Sequence, residues 1–257
     1  MLSPKPLFPA ILALFWLVAA AGMASGQTTT NKIFAARAEK EFHRAQIQLQ
    51  SGAKNSTNAW QFARACFDLA GFSTNETQRA DISRLGIAAS RELLAREPKS
   101  APAHYYLAMD YGQLAEAEAP SLAAYKLVKE IEREFKIAVD LDEQFDFAGP
   151  ARNLGLLYRD APGWPLSIGS KNKAREFLKR AAALAPEYPE NQLNLAESQV
   201  KWRLSDEAEK TLRKLDALWP SAKTNFTGEI WEQSWADWTT RRQAAKAEFK
   251  KVFKRGL

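Results

Sequence analysis

Between Gln192 and Pro220, leucines and small residues fall on a grid suited to a pair of antiparallel helices: Leu195 and Ala196, then Ala208, Leu212 and Leu215, then Pro220. Ala196 and Ala208 stand twelve residues apart, which puts one small side chain on each helix where the two backbones approach. In repeats of about 34 residues, small residues at the eighth and twentieth positions permit that approach, and a proline closes the unit. Such a pair cannot bury its apolar faces alone, so the units stack. A stack offers a surface for holding something more often than a reaction centre.

The same spacing recurs upstream. Phe34, Ala38, Phe42, Ala45 and Leu49 recur every three or four residues and predict a helix from Ile33 to Gln50. Trp60, Ala63, Phe67 and Ala70 predict a second helix ended by Gly71, and Ile82, Leu85, Ala89 and Leu93 a partner ended by Pro98. Tyr106, Leu107, Ala108 and Tyr111 open a second hairpin that returns through Leu127, Ile131, Phe135 and Ala138. A third opens at Gly149-Pro150, carries Leu154, Gly155 and Tyr158, and resumes with Ala174, Leu178, Ala181 and Pro186 after a long turn from Pro162 to Ser170. The fourth is the regular one, with Ser205 as a helix cap before Asp206 and Glu207.

This grid resembles the tetratricopeptide repeat (TPR). The expected fold is all-α, a TPR-like α-solenoid of about four helical hairpins over residues 58–220. A helix and linker over 27–57 precede it, and a capping helix over 221–257 follows. In that last helix Trp231, Trp235 and Trp238 would seal the open end of the final repeat, as a solenoid needs.

Residues 1–26 read differently. Lys5 precedes an apolar run from Leu7 to Ala21, and Ala24-Ser25-Gly26 supplies the small residues of a cleavage site, so a signal peptide is expected. No cysteine stands near that point, so the lipid-bearing signal is missing and a periplasmic or secreted protein is expected. The chain holds 36 basic and 30 acidic side chains, a net charge of +6. Arg241, Arg242, Lys246, Lys250, Lys251, Lys254 and Arg255 crowd the last helix. Two readings stand for them: a solvated cap, or contact with a membrane surface or acidic partner. No nucleic-acid partner is expected of an exported chain.

No catalytic residue, metal site or cofactor site is expected. Cys66 is the single cysteine and sits among Ala63, Ala65, Phe67 and Leu69, the setting of a buried helix residue. His43 and His104 lie far apart without cysteine partners. The acidic group Asp140, Asp142, Glu143 and Asp146 lacks the glycine and terminal glutamate of a calcium loop. Gly163 and Gly169 follow a helix and not a strand, the wrong context for a phosphate loop.

Binding residues are easier to place. In the repeat register the second, fifth, ninth and twelfth positions of each first helix face inward, so the inner wall should hold Tyr105, Met109, Arg152, Leu156, Arg159, Leu193 and Glu197. Apolar area with a few charges suits an amphipathic ligand. Arg152 either meets a ligand carboxylate or pairs with Glu197. Trp164, in the long third turn, either reaches over a cavity rim or staples the loop to the helices.

The run Phe147 to Tyr158, continued by Ala161-Pro162-Gly163-Trp164-Pro165, Gly169 to Ala174 and Glu187 to Glu197, resembles the TatT family, the TPR-containing T component associated with bacterial TRAP transporters. That resemblance implies a non-enzymatic exported protein whose repeats surround a cavity for a small apolar or amphipathic ligand. It also implies a periplasmic solute-binding protein as partner. The alternative is a protein-protein interaction scaffold of the cell envelope.

Overall fold

The computed structural model describes residues 26–52 and 55–256. The expected signal peptide falls almost wholly outside the described residues. Among those residues the chain is all-α, with ten α-helices packed pairwise in sequence order: α1 Gly26–Ser51, α2 Ser56–Ala70, α3 Glu76–Arg96, α4 Ala101–Ala117, α5 Leu122–Leu141, α6 Phe145–Asp160, α7 Lys171–Leu184, α8 Pro189–Lys201, α9 Ser205–Asn225 and α10 Glu232–Phe253. A single 3-10 turn, Glu229–Trp231, leads into α10.

Side-chain caps open several helices. Asn55 accepts hydrogen bonds from the backbone of Thr57 and Asn58, Asn75 from Gln78, Ser121 from Ala124, and Ser170 from Lys173. Each satisfies a donor that a helix start would otherwise leave unpaired. Ser205 does not act this way: Leu204 holds the cap position of α9 and makes no side-chain cap bond. Nor does Pro220 close the last repeat. Helix α9 runs on to Asn225, because Trp219, Ala222 and Phe226 are buried in one cluster with Trp238, and that burial outweighs the backbone hydrogen bond the proline forfeits.

Two compact units form. One comprises α1 to α5 with residues Asp160–Gly169; the other comprises Glu143–Arg159 and everything from Ser170 onward. In the first, α2 packs on α1, α3 and α4, and α4 on α3 and α5. Phe42, Phe62, Cys66 and Ala89 form one of its cores. Burial pushes the Cys66 thiol far above its ordinary value, with the charges of Asp110 and Asp68 adding to the effect, so it stays protonated and inert. Trp60 stacks on Tyr106 with ring centroids 5.9 Å apart.

In the second unit, α8 packs on α7, α9 and α10. Gly155 shows why the eighth repeat position is small: a Cβ there would stand 2.8 Å from Leu178 Cγ. Ala196 and Ala208 are both fully buried, as their spacing predicts. Helix α6 begins unusually, with Asp146, Phe147 and Ala148 all left-handed at φ of 51°, 54° and 61°. Regular helix starts at Gly149, where the repeat was expected to open.

Candidate binding groove

Helix α10 does more than shield the end of the last repeat: it packs along α8 as well as α9. Its apolar stripe of Trp238, Ala245 and Phe249 joins Leu193, Ala196, Val200, Leu212 and Leu215 in one core. Phe226 lies edge-on to Trp238 at 5.9 Å, and Tyr188 does so at 5.3 Å. The face of α8 that the register assigns to an open inner wall is therefore covered by the chain itself.

A charge cluster locks this packing. Arg241 donates from Nε and Nη2 to both oxygens of Glu197 at 2.9 and 2.8 Å, from Nη1 to Glu190 at 2.7 Å and Asp237 at 3.0 Å, and from Nη2 to Asn194 at 2.6 Å. Trp238 Nε1 donates to the other Glu190 oxygen at 2.6 Å. Burial by itself would raise the Glu190 carboxyl. The charges of Arg241 and Arg152, with hydrogen bonds from Arg241 and Trp238, outweigh it and hold the group down at about 2. Asp237 goes the other way: burial raises it, and the charges of Glu190 and Glu197 add to the rise against the pull of Arg241. One guanidinium thus serves three carboxylates.

Beyond this cluster, toward the C-terminal end of α8, residues of the two helices line a cleft of about 450 Å³. Val200, Ala244, Ala245 and Val252 give it an apolar lining, while Glu197, Lys201, Arg203 and Glu248 supply its polar part. The volume lies within the usual span of small-molecule sites, about 300–1,000 Å³. Of the polar groups, Glu197 is engaged by Arg241, and Glu248 lies 3.4 Å from Lys251.

The residues expected to form a binding wall separate into distinct roles. Tyr105 is buried against Tyr106 and Phe135, with centroids 4.9 and 5.9 Å away, and Met109 is buried as well. Neither lies on a free wall, because α4 is enclosed over nearly its whole length. Leu193 belongs to the core under α10. Leu156 is half-buried against the cluster of Leu178, Ala182 and Leu195. Arg159 reaches Ser198 Oγ at 3.3 Å. Trp164 stands 88 % exposed and does not staple its loop; backbone hydrogen bonds from Gly169 to Pro162 and from Leu166 and Ser167 to Gly163 hold that turn instead. Glu197 alone of the expected residues lines the groove.

Arg152 has a role no spacing rule predicts. Its Nη1 donates to the carbonyls of Asp146 and Phe147 at 3.3 and 3.2 Å and to Asn191 Oδ1 at 3.2 Å, and its Nη2 meets the Asp146 carboxylate at 3.2 Å. Asn191 in turn donates to the Phe147 carbonyl at 2.9 Å. The pair buckles the left-handed start of α6. Glu197, one of the two partners weighed for Arg152, is held through both oxygens by Arg241.

The basic residues of α10 are likewise largely spoken for. Besides Arg241, Arg242 and Lys246 share Asp216, Arg255 meets Asp206 and Glu209, and Lys251 meets Glu248. Sequence reasoning grouped Arg241 with a solvated basic face. The signal that identifies it is its register: Arg241, Ala245, Glu248 and Val252 recur every three or four residues on one side of the helix, the side turned to α8.

No family model matches the chain, and no curated protein matches it. Among solved structures it is similar to TTC0263, a thermophilic TPR protein of Thermus thermophilus, at a TM-score of 0.62 and 18 % identity over 85 % of this chain and 95 % of that one. At that identity the likeness concerns the fold, and the fold is a TPR-like helical repeat array. Yeast Tom70 also aligns, over 83 % of this chain and 60 % of that one at 11 % identity, but its TM-score of 0.31 is too low to bear on the matter.

Proposed function

We propose that this is a non-catalytic TPR-like binding protein whose groove between α8 and α10 receives a small apolar or amphipathic molecule. The observation that carries the reading is the groove itself, lined by apolar residues of two helices together with a few charged side chains. Apolar area supplies affinity there and a few polar groups set orientation. The TatT-like segment and the export-like leader support the finer reading, a periplasmic protein that passes its ligand to a solute-binding partner of a TRAP-type transporter. N-phenyl-1-naphthylamine should bind with saturable fluorescence, and Ala244→Trp, which fills the groove from an exposed position, should abolish it. Absence of saturable binding, together with no small molecule released from the native protein, would retire the reading.

A second reading, a cell-envelope interaction scaffold, is favoured by a different observation. Trp164 and Leu166 are 88 % and 70 % exposed on a turn held by its own backbone hydrogen bonds. A preformed aromatic projection costs little entropy on docking, and aromatic residues are enriched at interfaces. A stoichiometric partner recovered from envelope extract and lost with Trp164→Ala would support it; recovery unchanged by that substitution would count against it.

A further inference from the structure

We infer that the groove takes a single-chain amphiphile with an anionic head, its chain lying along Val200, Ala244 and Val252 and its head against Arg203. The inference rests on the groove reading above and adds the chemical class of the occupant.

The end of α8 carries the argument. Leu204 N–H bonds to the Gln199 carbonyl at 2.9 Å and Arg203 N–H to the Val200 carbonyl at 3.0 Å, the paired bonds of a Schellman ending with Arg203 at the residue after the cap. That residue is left-handed, with φ of 58°. Glycine is the usual occupant because it has no Cβ to clash there. An arginine in this place departs from local preference, and nothing in the helix ending needs its side chain. Departures of this kind gather at functional sites.

The side chain of Arg203 is exposed, lines the groove, and has no ion-pair partner among the described residues. The carboxylates nearby do not compete for it: both oxygens of Glu197 are taken by Arg241, and Glu248 has Lys251. Lys201, in the last turn of α8, also lines the groove. Arg203 is thus a cation without an ion-pair partner among the described residues, in a groove that also has apolar lining. A guanidinium presents a planar fork of donors that matches a carboxylate or phosphate with two parallel bonds.

The test uses the full chain in calorimetric titration with dodecanoate below its micellar concentration and with dodecan-1-ol, which has the same chain length and no charge. Dodecanoate should bind about tenfold more tightly, the ratio expected from one charge-assisted contact. Arg203→Gly relieves the left-handed residue, so it should fold at least as stably while losing the preference for the acid and keeping the affinity for the alcohol. Arg203→Lys should retain part of the preference, and Ala244→Trp should weaken both ligands. Equal affinities in the parent protein, or a preference that survives Arg203→Gly, would overturn the anionic head and leave the groove reading standing. Failure of both ligands to bind, or binding indifferent to Ala244→Trp, would overturn the groove reading as well.

Discussion

Asp110 on α4 presses its carboxyl group into the space left by the missing side chain of Gly86 on α3: a Cβ on that glycine would stand 2.2 Å from Asp110 Oδ2. Asp110 is fully buried and neither of its oxygens has a hydrogen-bond partner among the described residues. Gly86→Ala should therefore destabilise the protein by about 1–3 kcal/mol, the usual cost of overpacking. In a double-mutant cycle with Asp110→Ala most of that loss should disappear, because the atoms that clash are gone. Denaturant melts of the four variants provide the check, and strict additivity would show that the two residues do not meet as described.

The same carboxyl group makes stability depend on pH. Burial raises Asp110 well above the ordinary carboxylate range, and the charge of Asp68 on α2 raises it further. Cys66, which also feels the charge of Asp68, is a neutral thiol and does not oppose this. The folded state thus holds its proton more tightly than the unfolded state. Its contribution is complete below the unfolded carboxylate value of about 3.9 and is lost as pH rises through the higher folded value. Asp110→Asn should flatten that slope and leave the variant more stable than the parent at neutral pH. A parent and variant with parallel pH profiles would contradict this.

Glu190 has the opposite sign. Its folded value is held down at about 2, so the stability it contributes is present above the unfolded carboxylate value of about 4.3 and is lost as pH falls from there toward 2. Acid unfolding monitored by tryptophan fluorescence should report this, since Trp238 donates to Glu190. In Glu190→Gln the acid-dependent step should shrink.

Removing Arg241 should undock α10. Truncation to alanine leaves Glu190, Glu197 and Asp237 facing one another without their shared cation, a loss on the order of 3–5 kcal/mol. Hydrogen exchange in α10 should accelerate while that of α2 and α3, in the other unit, stays as it is.

Arg152→Ala should act locally at the start of α6. Of the left-handed residues Asp146, Phe147 and Ala148, the first two would lose the hydrogen bonds that Arg152 donates to their carbonyls, and strained backbone of this kind persists only where its surroundings impose it. Exchange of the Ala148 amide, which bonds to the Gln144 carbonyl at 3.2 Å, should rise more than that of Leu157 deeper in the helix. A uniform change along α6 would argue against the buckle.

Much of the architecture was legible in the chain because it depends on local periodicity. Small residues at the eighth and twentieth repeat positions mark where backbones touch, and Gly155 against Leu178 is one such approach. The binding wall was less legible. Register says which way a side chain points from its own helix but is silent about what arrives to cover it, and Leu193 is buried in the core with α10. Pro220 misled for a related reason: the burial of Trp219, Ala222 and Phe226 extends a helix that local preference would end.

The amino-acid sequence by itself determined the helices, their pairing and the small residues at their crossings, because these follow from side-chain spacing within one or two turns of helix. Only the tertiary structure decided the fate of the inner face. Helix α10 folds back along α8, Arg241 gathers Glu190, Glu197 and Asp237, and a groove remains that both helices line. Apart from the local pair of Arg241 with Asp237, these features depend on meetings between residues about 40 to 50 positions apart, whose energies lie in burial and charge pairing that no local pattern encodes.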